Sequence, residues 1–183
     1  MPATAKSKMT VNEFLAWTEG QEGRWELHDG DPVAMAPDRV AHGQMKGNAY
    51  FSLRMAVSRA GVPCHVLPDG LSVRITEGTL FEPDALVYCG EELPADALEI
   101  PSPLVVVEVL SPSTAAYDHG PKLAGYFSLP IVMHYLITDA DRRIVTHHKR
   151  GTGDVIETRM LSTGALRLEP PGIDLPIADL FAT

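Results

Sequence analysis

Along the chain, apolar residues recur with two different periods. From Thr10 to Glu19 the spacing is helical, with Thr10 placed as N-cap, Glu13 at the reciprocal capping position and Gly20 closing the segment. Val40 to Ala60 contains no proline and carries Met45, Ala49, Leu53, Ala56 and Ala60 at three- and four-residue steps, which predicts a long amphipathic helix ended by Gly61. Between these helices, Arg24 to Leu27 and Pro32 to Met35 flank His28-Asp29-Gly30-Asp31, and the Asp-Gly pair predicts an antiparallel hairpin.

Beyond Gly61 the pattern turns to strands. Cys64 to Leu67, Leu71 to Ile75 and Ala85 to Cys89 are short extended segments separated by turn residues, and they read as a meander. Leu104 to Leu110, LVVVEVL, is almost wholly apolar and β-branched, as expected of a central strand covered on both faces. A helix then leads to Ile131 to Ile137. Asp139-Ala140-Asp141 turns the chain into Arg143 to His148, and further short strands fall near Val155 to Leu161 and Ala165 to Leu168. The expected fold is α/β: a central mixed sheet flanked by helices, with an N-terminal β-hairpin. No internal repeat or linker divides the 183 residues, so one domain over 1–183 is expected, with residues 1–8 as a flexible tail.

Composition narrows the function. No segment has the length and apolarity of a signal peptide core or a membrane span, and Cys64 and Cys89 lie among apolar neighbours. The expectation is a cytoplasmic protein with two buried thiols. Fifteen basic against 24 acidic residues give a net charge of −9, which disfavours a surface attracting nucleic acid everywhere. The exception is Arg142 to Arg150, where Arg142, Arg143, His147, His148, Lys149 and Arg150 occur with no acidic residue. This stripe suits phosphate contacts, with Arg142, Arg143, Lys149 and Arg150 as the nucleic-acid-binding candidates, or equally a basic edge strand that resists sheet pairing. His147 and His148 are adjacent in an extended segment and should face opposite ways, which argues against a two-histidine metal site.

The most informative residue is Glu108, because a carboxylate in a central strand needs a proton, a cationic partner or a metal to offset its desolvation. Asp84 follows Pro83 where another strand opens, and if the two strands are neighbours their carboxylates converge. Two such charges ~4 Å apart repel by roughly 4 kcal/mol at an effective dielectric of 20. A divalent cation removes that repulsion, and hard oxygen donors suit Mg²⁺ or Mn²⁺ better than zinc. The alternative is an Asp turn cap with Glu108 salt-bridged to an arginine. Asp118 and Lys122, four apart, share a helical face, and Pro121 fits best if Asp118 is the N-cap and Lys122 lies in the first turn. Such a lysine either assists a metal-bound carboxylate site or is a solvated helix residue. Ser111 and Ser113 lack the glycines of a nucleophile elbow.

Pro83-Asp84, Glu108-Val109-Leu110 with Ser111-Pro112-Ser113-Thr114, and Asp118 with Lys122 and Tyr126 resemble the bacterial Uma-two family of restriction-endonuclease-like proteins, within the PD-(D/E)XK nuclease class. Arg24-Trp25-Glu26-Leu27 before Asp29-Gly30, and Met35 before Pro37 and His42, resemble its N-terminal signature. The resemblance implies a restriction-endonuclease-like fold and a Mg²⁺- or Mn²⁺-dependent phosphodiesterase acting on DNA. It implies Asp84, Glu108 and the Val109 carbonyl as metal ligands and Lys122 as the positioner of the attacking water, with Glu26 and His42 as further candidates for the same cleft. Leu110 stands where the unmodified motif has lysine, and the resemblance implies that Lys122 replaces it; Gly120-Pro121 bears on how that lysine is aimed. A homodimer suits an enzyme meeting two-stranded DNA. The rival reading is a non-catalytic nucleic-acid-binding or scaffold domain that keeps the fold.

Overall fold

The computed structural model describes residues 8–111 and 115–182, so Pro112, Ser113 and Thr114 of the strand-following motif and residues 1–7 of the expected tail lie outside the described residues. Lys8, at the end of that tail, contacts Asp31 at 2.5 Å. Helix α1 (Val11–Thr18) carries the expected reciprocal capping box between Thr10 and Glu13. Strands β1 (Trp25–His28) and β2 (Asp31–Ala34) form the hairpin. Asp29 and Gly30 both adopt positive φ (49° and 83°), the left-handed pair that a two-residue turn matching strand twist requires.

Helix α2 (Val40–Ala60) ends at Gly61 in the left-handed conformation, and it buries Met45, Ala49, Leu53 and Ala56. The strands that follow are β3 (Cys64–Pro68), β4 (Val73–Thr76), β5 (Thr79–Phe81), β6 (Ala85–Cys89) and β7 (Pro103–Val109). They are not one meander. β4 and β5 leave the sheet and complete a four-stranded sheet of order β2-β1-β5-β4, whereas β3 and β6 pair directly with each other. The reason is the tight turn around Glu77-Gly78, which closes a β4–β5 hairpin of its own beside the N-terminal one.

A short helix α3 (Ala115–Tyr117), a π-helical turn (Asp118–Lys122) and α4 (Leu123–Ser128) follow, then β8 (His134–Asp139), β9 (Ile144–Arg150), β10 (Ile156–Leu161), β11 (Ala165–Leu168), β12 (Ile173–Pro176) and α5 (Ile177–Leu180). The main sheet runs β10-β9-β8-β7-β6-β3, with β7 and β8 parallel and the other pairs antiparallel, so LVVVEVL lies centrally as expected. Val105, Val107 and Val109 face α2 and the β11–β12 hairpin; Val106 faces Tyr126, Tyr135 and the small sheet. The architecture is mixed α/β, as the periodicities indicate.

Three local expectations are corrected. The helix after β7 starts before Asp118, so Asp118 is not its N-cap; the π turn accommodates Pro121, which has no N–H to donate. β9 is an interior strand, so its basic residues do not guard an edge. Cys64 and Cys89, directly opposite in the β3–β6 ladder, are joined in a disulfide rather than being free thiols. Among the described residues no helix is long and apolar enough to cross a membrane.

Candidate functional site

The ladder between β6 and β7 sets the centre. Ala85 opposes Val107, and the Asp84 N–H donates to the Val107 carbonyl at 3.0 Å, so Asp84 and Glu108 come together at the end of two central strands. Both are buried. Alternation along β7 turns Glu108 toward α4 and leaves Val109 on the α2 side, which is why different layers serve the two. From the helical layer, Lys122 Nζ stands 2.9 Å from Glu108 Oε1, and the Tyr126 hydroxyl donates to the same oxygen at 2.9 Å. From the small sheet, Glu26 Oε1 stands 2.9 Å from Lys122 Nζ and also accepts the Glu82 N–H at 2.8 Å. Asp118 Oδ1 lies 3.8 Å from the same ammonium.

The α2 side holds a second cationic group that sequence reasoning missed. Lys46, only 6% exposed, places Nζ 2.8 Å from Asp84 Oδ1, 2.9 Å from Asp38 Oδ2 and 3.3 Å from Asp69 Oδ2. Asp84 Oδ2 accepts the Val109 N–H at 2.6 Å. Arg24 continues the chain of charges, pairing with Asp69 at 2.8 Å and with Glu82. His42, one turn before Lys46, bridges Asp38 at 2.8 Å and the Val109 carbonyl at 2.8 Å, so it does reach the cleft. That carbonyl keeps a second lone pair. The signal that could have exposed Lys46 is its four-residue spacing from His42, just ahead of the apolar face of α2.

The solvated reading of Lys122 fails, since the residue is buried at 3% exposure, and Glu26 is buried beside it at 6%. Burial works against the charge on Lys122, but Glu108, Glu26 and Asp118 outweigh it and hold the ammonium protonated well above its ordinary range. Burial pushes the Glu108 carboxyl well up, against Lys122 and with the help of Asp84, Asp118 and Glu26. Glu26 is also penalised by burial, yet Lys122 and its hydrogen bonds to His28 and Glu82 bring it below the usual carboxylate range.

Seven carboxyl groups (Glu26, Asp38, Asp69, Glu82, Asp84, Glu108 and Asp118) thus adjoin three permanent cations, Arg24, Lys46 and Lys122. Negative charge is in excess: burial, with neighbouring carboxylates adding to it, raises the Glu82 carboxyl and pushes that of Glu108 well above its ordinary range. The donor set of hard oxygens with surplus charge fits a divalent cation. Among the described residues no three His, Cys, Asp or Glu side chains are already gathered as a metal cluster, since the two ammonium groups stand against the carboxylates.

The basic stripe does not come together. Arg142 and Arg143 precede β9 at the end of the sheet where Glu108 lies, whereas Lys149 and Arg150 are at its other end, roughly 20 Å along the strand. Arg150 donates to the carbonyls of Phe127, Leu129 and Val132. His147 and His148 face opposite ways, as alternation requires: His147 meets His134, and His148 stacks on Tyr135.

Comparison with known proteins bears on the fold and the family. A "putative nuclease belonging to DUF820" from Anabaena variabilis, known from its crystal structure, superposes with a TM-score of 0.73 at 17% identity over 94% of this chain and 97% of its own. Two uncharacterized proteins of Synechocystis sp. are similar in sequence: slr1290 is 29% identical over 98% of this chain and 95% of its own length, and sll1609 is 24% identical over 78% and 81%. Residues 11–178 match the family model described as "Putative restriction endonuclease", and the chain therefore belongs to the Uma2 family.

Proposed function

We propose that this protein hydrolyses phosphodiester bonds of DNA with Mg²⁺ or Mn²⁺ at the Asp84–Glu108 end of the sheet. The observation carrying the reading is Lys122, which comes from the helical segment after β7 yet ends 2.9 Å from Glu108, supplying the ammonium group that Leu110, just past the end of β7, lacks. Asp84, Glu108 and the Val109 carbonyl would hold the cation. When bound, it would supply Lewis acidity toward the phosphoryl oxygens and lower the pKa of a coordinated water.

The remaining chemistry belongs to the chain. Lys122, held as an ammonium, neutralises charge that develops on the phosphoryl group and directs the attacking water. Glu26, kept ionised, fixes the Lys122 ammonium through a second contact of 2.9 Å. Tyr126, whose burial keeps its hydroxyl protonated, orients Glu108 by donating to Oε1. His42 holds the Val109 carbonyl in place, and Lys46 does the same for Asp84. Arg142 and Arg143, at the same end of the sheet, are the phosphate contacts this reading uses first.

Calorimetric titration with Mg²⁺ and Mn²⁺, followed by incubation with supercoiled, linear, single-stranded and branched DNA, tests the reading. Metal-dependent cleavage abolished by Glu108→Gln is expected. A second reading, a binding domain with an idle site, is favoured by the ammonium groups of Lys46 and Lys122, which already stand 2.8 Å from Asp84 and 2.9 Å from Glu108. DNA binding without metal affinity or cleavage would establish it instead.

A further inference from the structure

The main sheet ends on β10, and its outer edge is open: Ile156 to Met160 are all exposed, with Met160 at 69%. Two other edge strands carry proline, Pro32 in β2 and Pro68 in β3. β10, with sequence IETRML, has neither proline nor lysine. The hairpin bond from the Gly151 N–H to the Val155 carbonyl fixes which backbone groups face β9. Counting by twos along the register, Glu157, Arg159 and Leu161 bond inward, opposite Lys149, His147 and Val145. Ile156, Thr158 and Met160 therefore present their N–H and C=O groups outward.

The geometry points to a homodimer formed by antiparallel pairing of β10 with β10 of a second copy, with the two-fold axis passing through Thr158. In this register Thr158 meets Thr158, Ile156 meets Met160, and Glu157 meets Arg159. The backbone agrees with the side chains. The three outward-facing residues fall at hydrogen-bonded pairs, giving about six interchain bonds, while Glu157 and Arg159 fall at the closer, non-hydrogen-bonded pairs where side chains interact most. Each copy's exposed Ile156 and Met160 cover those of the other, and two Glu157–Arg159 pairs form across the axis. Within one copy these two side chains are only loosely associated, 4.0 Å apart and both exposed, so they are available to a partner. The edge is self-complementary, as a closed two-fold interface must be. The pairing joins two six-stranded sheets into one, and because the strands run antiparallel the two Asp84–Glu108 sites open toward opposite ends.

Light scattering and sedimentation of the full chain between about 1 and 200 μM test the proposal. The parent is expected to dimerise in this range. Glu157→Arg and Arg159→Glu each set like charges against each other at both pairs and should weaken the dimer about tenfold or more. An equimolar mixture of the two variant chains should form heterodimers, and the double variant Glu157→Arg/Arg159→Glu should dimerise like the parent. Thr158→Pro removes an outward N–H that the monomer does not use, together with the hydroxyl that bonds His148, and it should give a monomer whose cooperative unfolding shows it still folded. A parent that stays monomeric throughout, or a dimer indifferent to both charge reversals, overturns the proposal.

Discussion

At the residue scale the two central carboxylates are held differently: Glu108 shares the Lys122 ammonium with Glu26, whereas Asp84 lies between Lys46 and the Val109 N–H. Glu108 stood out because nothing else in LVVVEVL is polar, and Asp84 because proline marks a strand opening. Lys46 was hidden because a lysine on an amphipathic helix ordinarily reaches water, and its partner Asp84 lies 38 residues on. Their environments predict different responses. Glu108→Gln replaces a carboxyl already pushed toward its protonated form, so the metal-free melting temperature should hold or rise. Asp84→Asn takes a charge from between Lys46 and the Val109 N–H and should cost about 1–3 kcal/mol in denaturant titrations. Equal losses for the two would contradict this account of the site's charge. Lys122→Met leaves Glu26, Glu108 and Asp118 without their shared cation. It should cost on the order of 3–5 kcal/mol at neutral pH, and Glu108→Gln in the same chain should recover part of it. A loss near 0.5 kcal/mol, as for a solvated lysine, would show that this ammonium does not hold the cluster.

At the scale of elements, periodicity identified α1, α2 and the hairpin, which are set by contacts near in sequence, and the central strand, whose unbroken apolar run marks burial on both faces. It missed the exchange between sheets, because β4 and β5 have the same alternation whichever sheet receives them; only the β1–β5 pairing decides. The disulfide followed from that miss, since Cys64 and Cys89 face each other only once β3 and β6 are neighbours. The same excursion positions the site. β5 carries Phe81 onto α4, where the ring packs on Tyr126 and beneath the Lys122 ammonium, 5.8 Å from the ring centre. Gly125 permits that approach: a Cβ there would come within 2.7 Å of Phe81 Cε2 and 3.4 Å of Ile75 Cγ2. Gly125→Ala should therefore destabilise by about 1–3 kcal/mol despite alanine's higher helix propensity, because Phe81 is buried and cannot swing aside. A more stable Gly125→Ala variant, measured by chemical denaturation, would mean that α4 is free to lift from the small sheet.

At the scale of the whole molecule, the sheet treats its ionisable groups in two opposite ways. Charges cluster beyond the strand ends at Asp84 and Glu108, whereas on the sheet face that meets the β11–β12 hairpin two histidines are kept neutral. His134 Nε2 lies 2.9 Å from the Pro170 carbonyl and must donate to it, leaving Nδ1 to accept from His147 Nε2 at 3.0 Å. Both rings are buried. Burial pulls His134 down to about 4, against its bond to Pro170; burial again, with His134, Arg159, His148 and Lys149 adding to it, takes His147 down to about 3. Because both values lie below the unfolded value near 6.5, the unfolded chain binds these protons first. The stabilisation is complete above about pH 6.5 and is lost as pH falls toward 4. Each histidine adds up to about 1.4 kcal/mol per pH unit to the slope of stability across that window. Denaturant titrations at intervals from pH 7.5 to 5 should show this, and His134→Gln/His147→Gln should be less stable at pH 7.5 but have a shallower acid limb. If parent and variant lose stability in parallel, the pair does not govern the acid response, and protonation of carboxylates paired at the Glu108 end becomes its source.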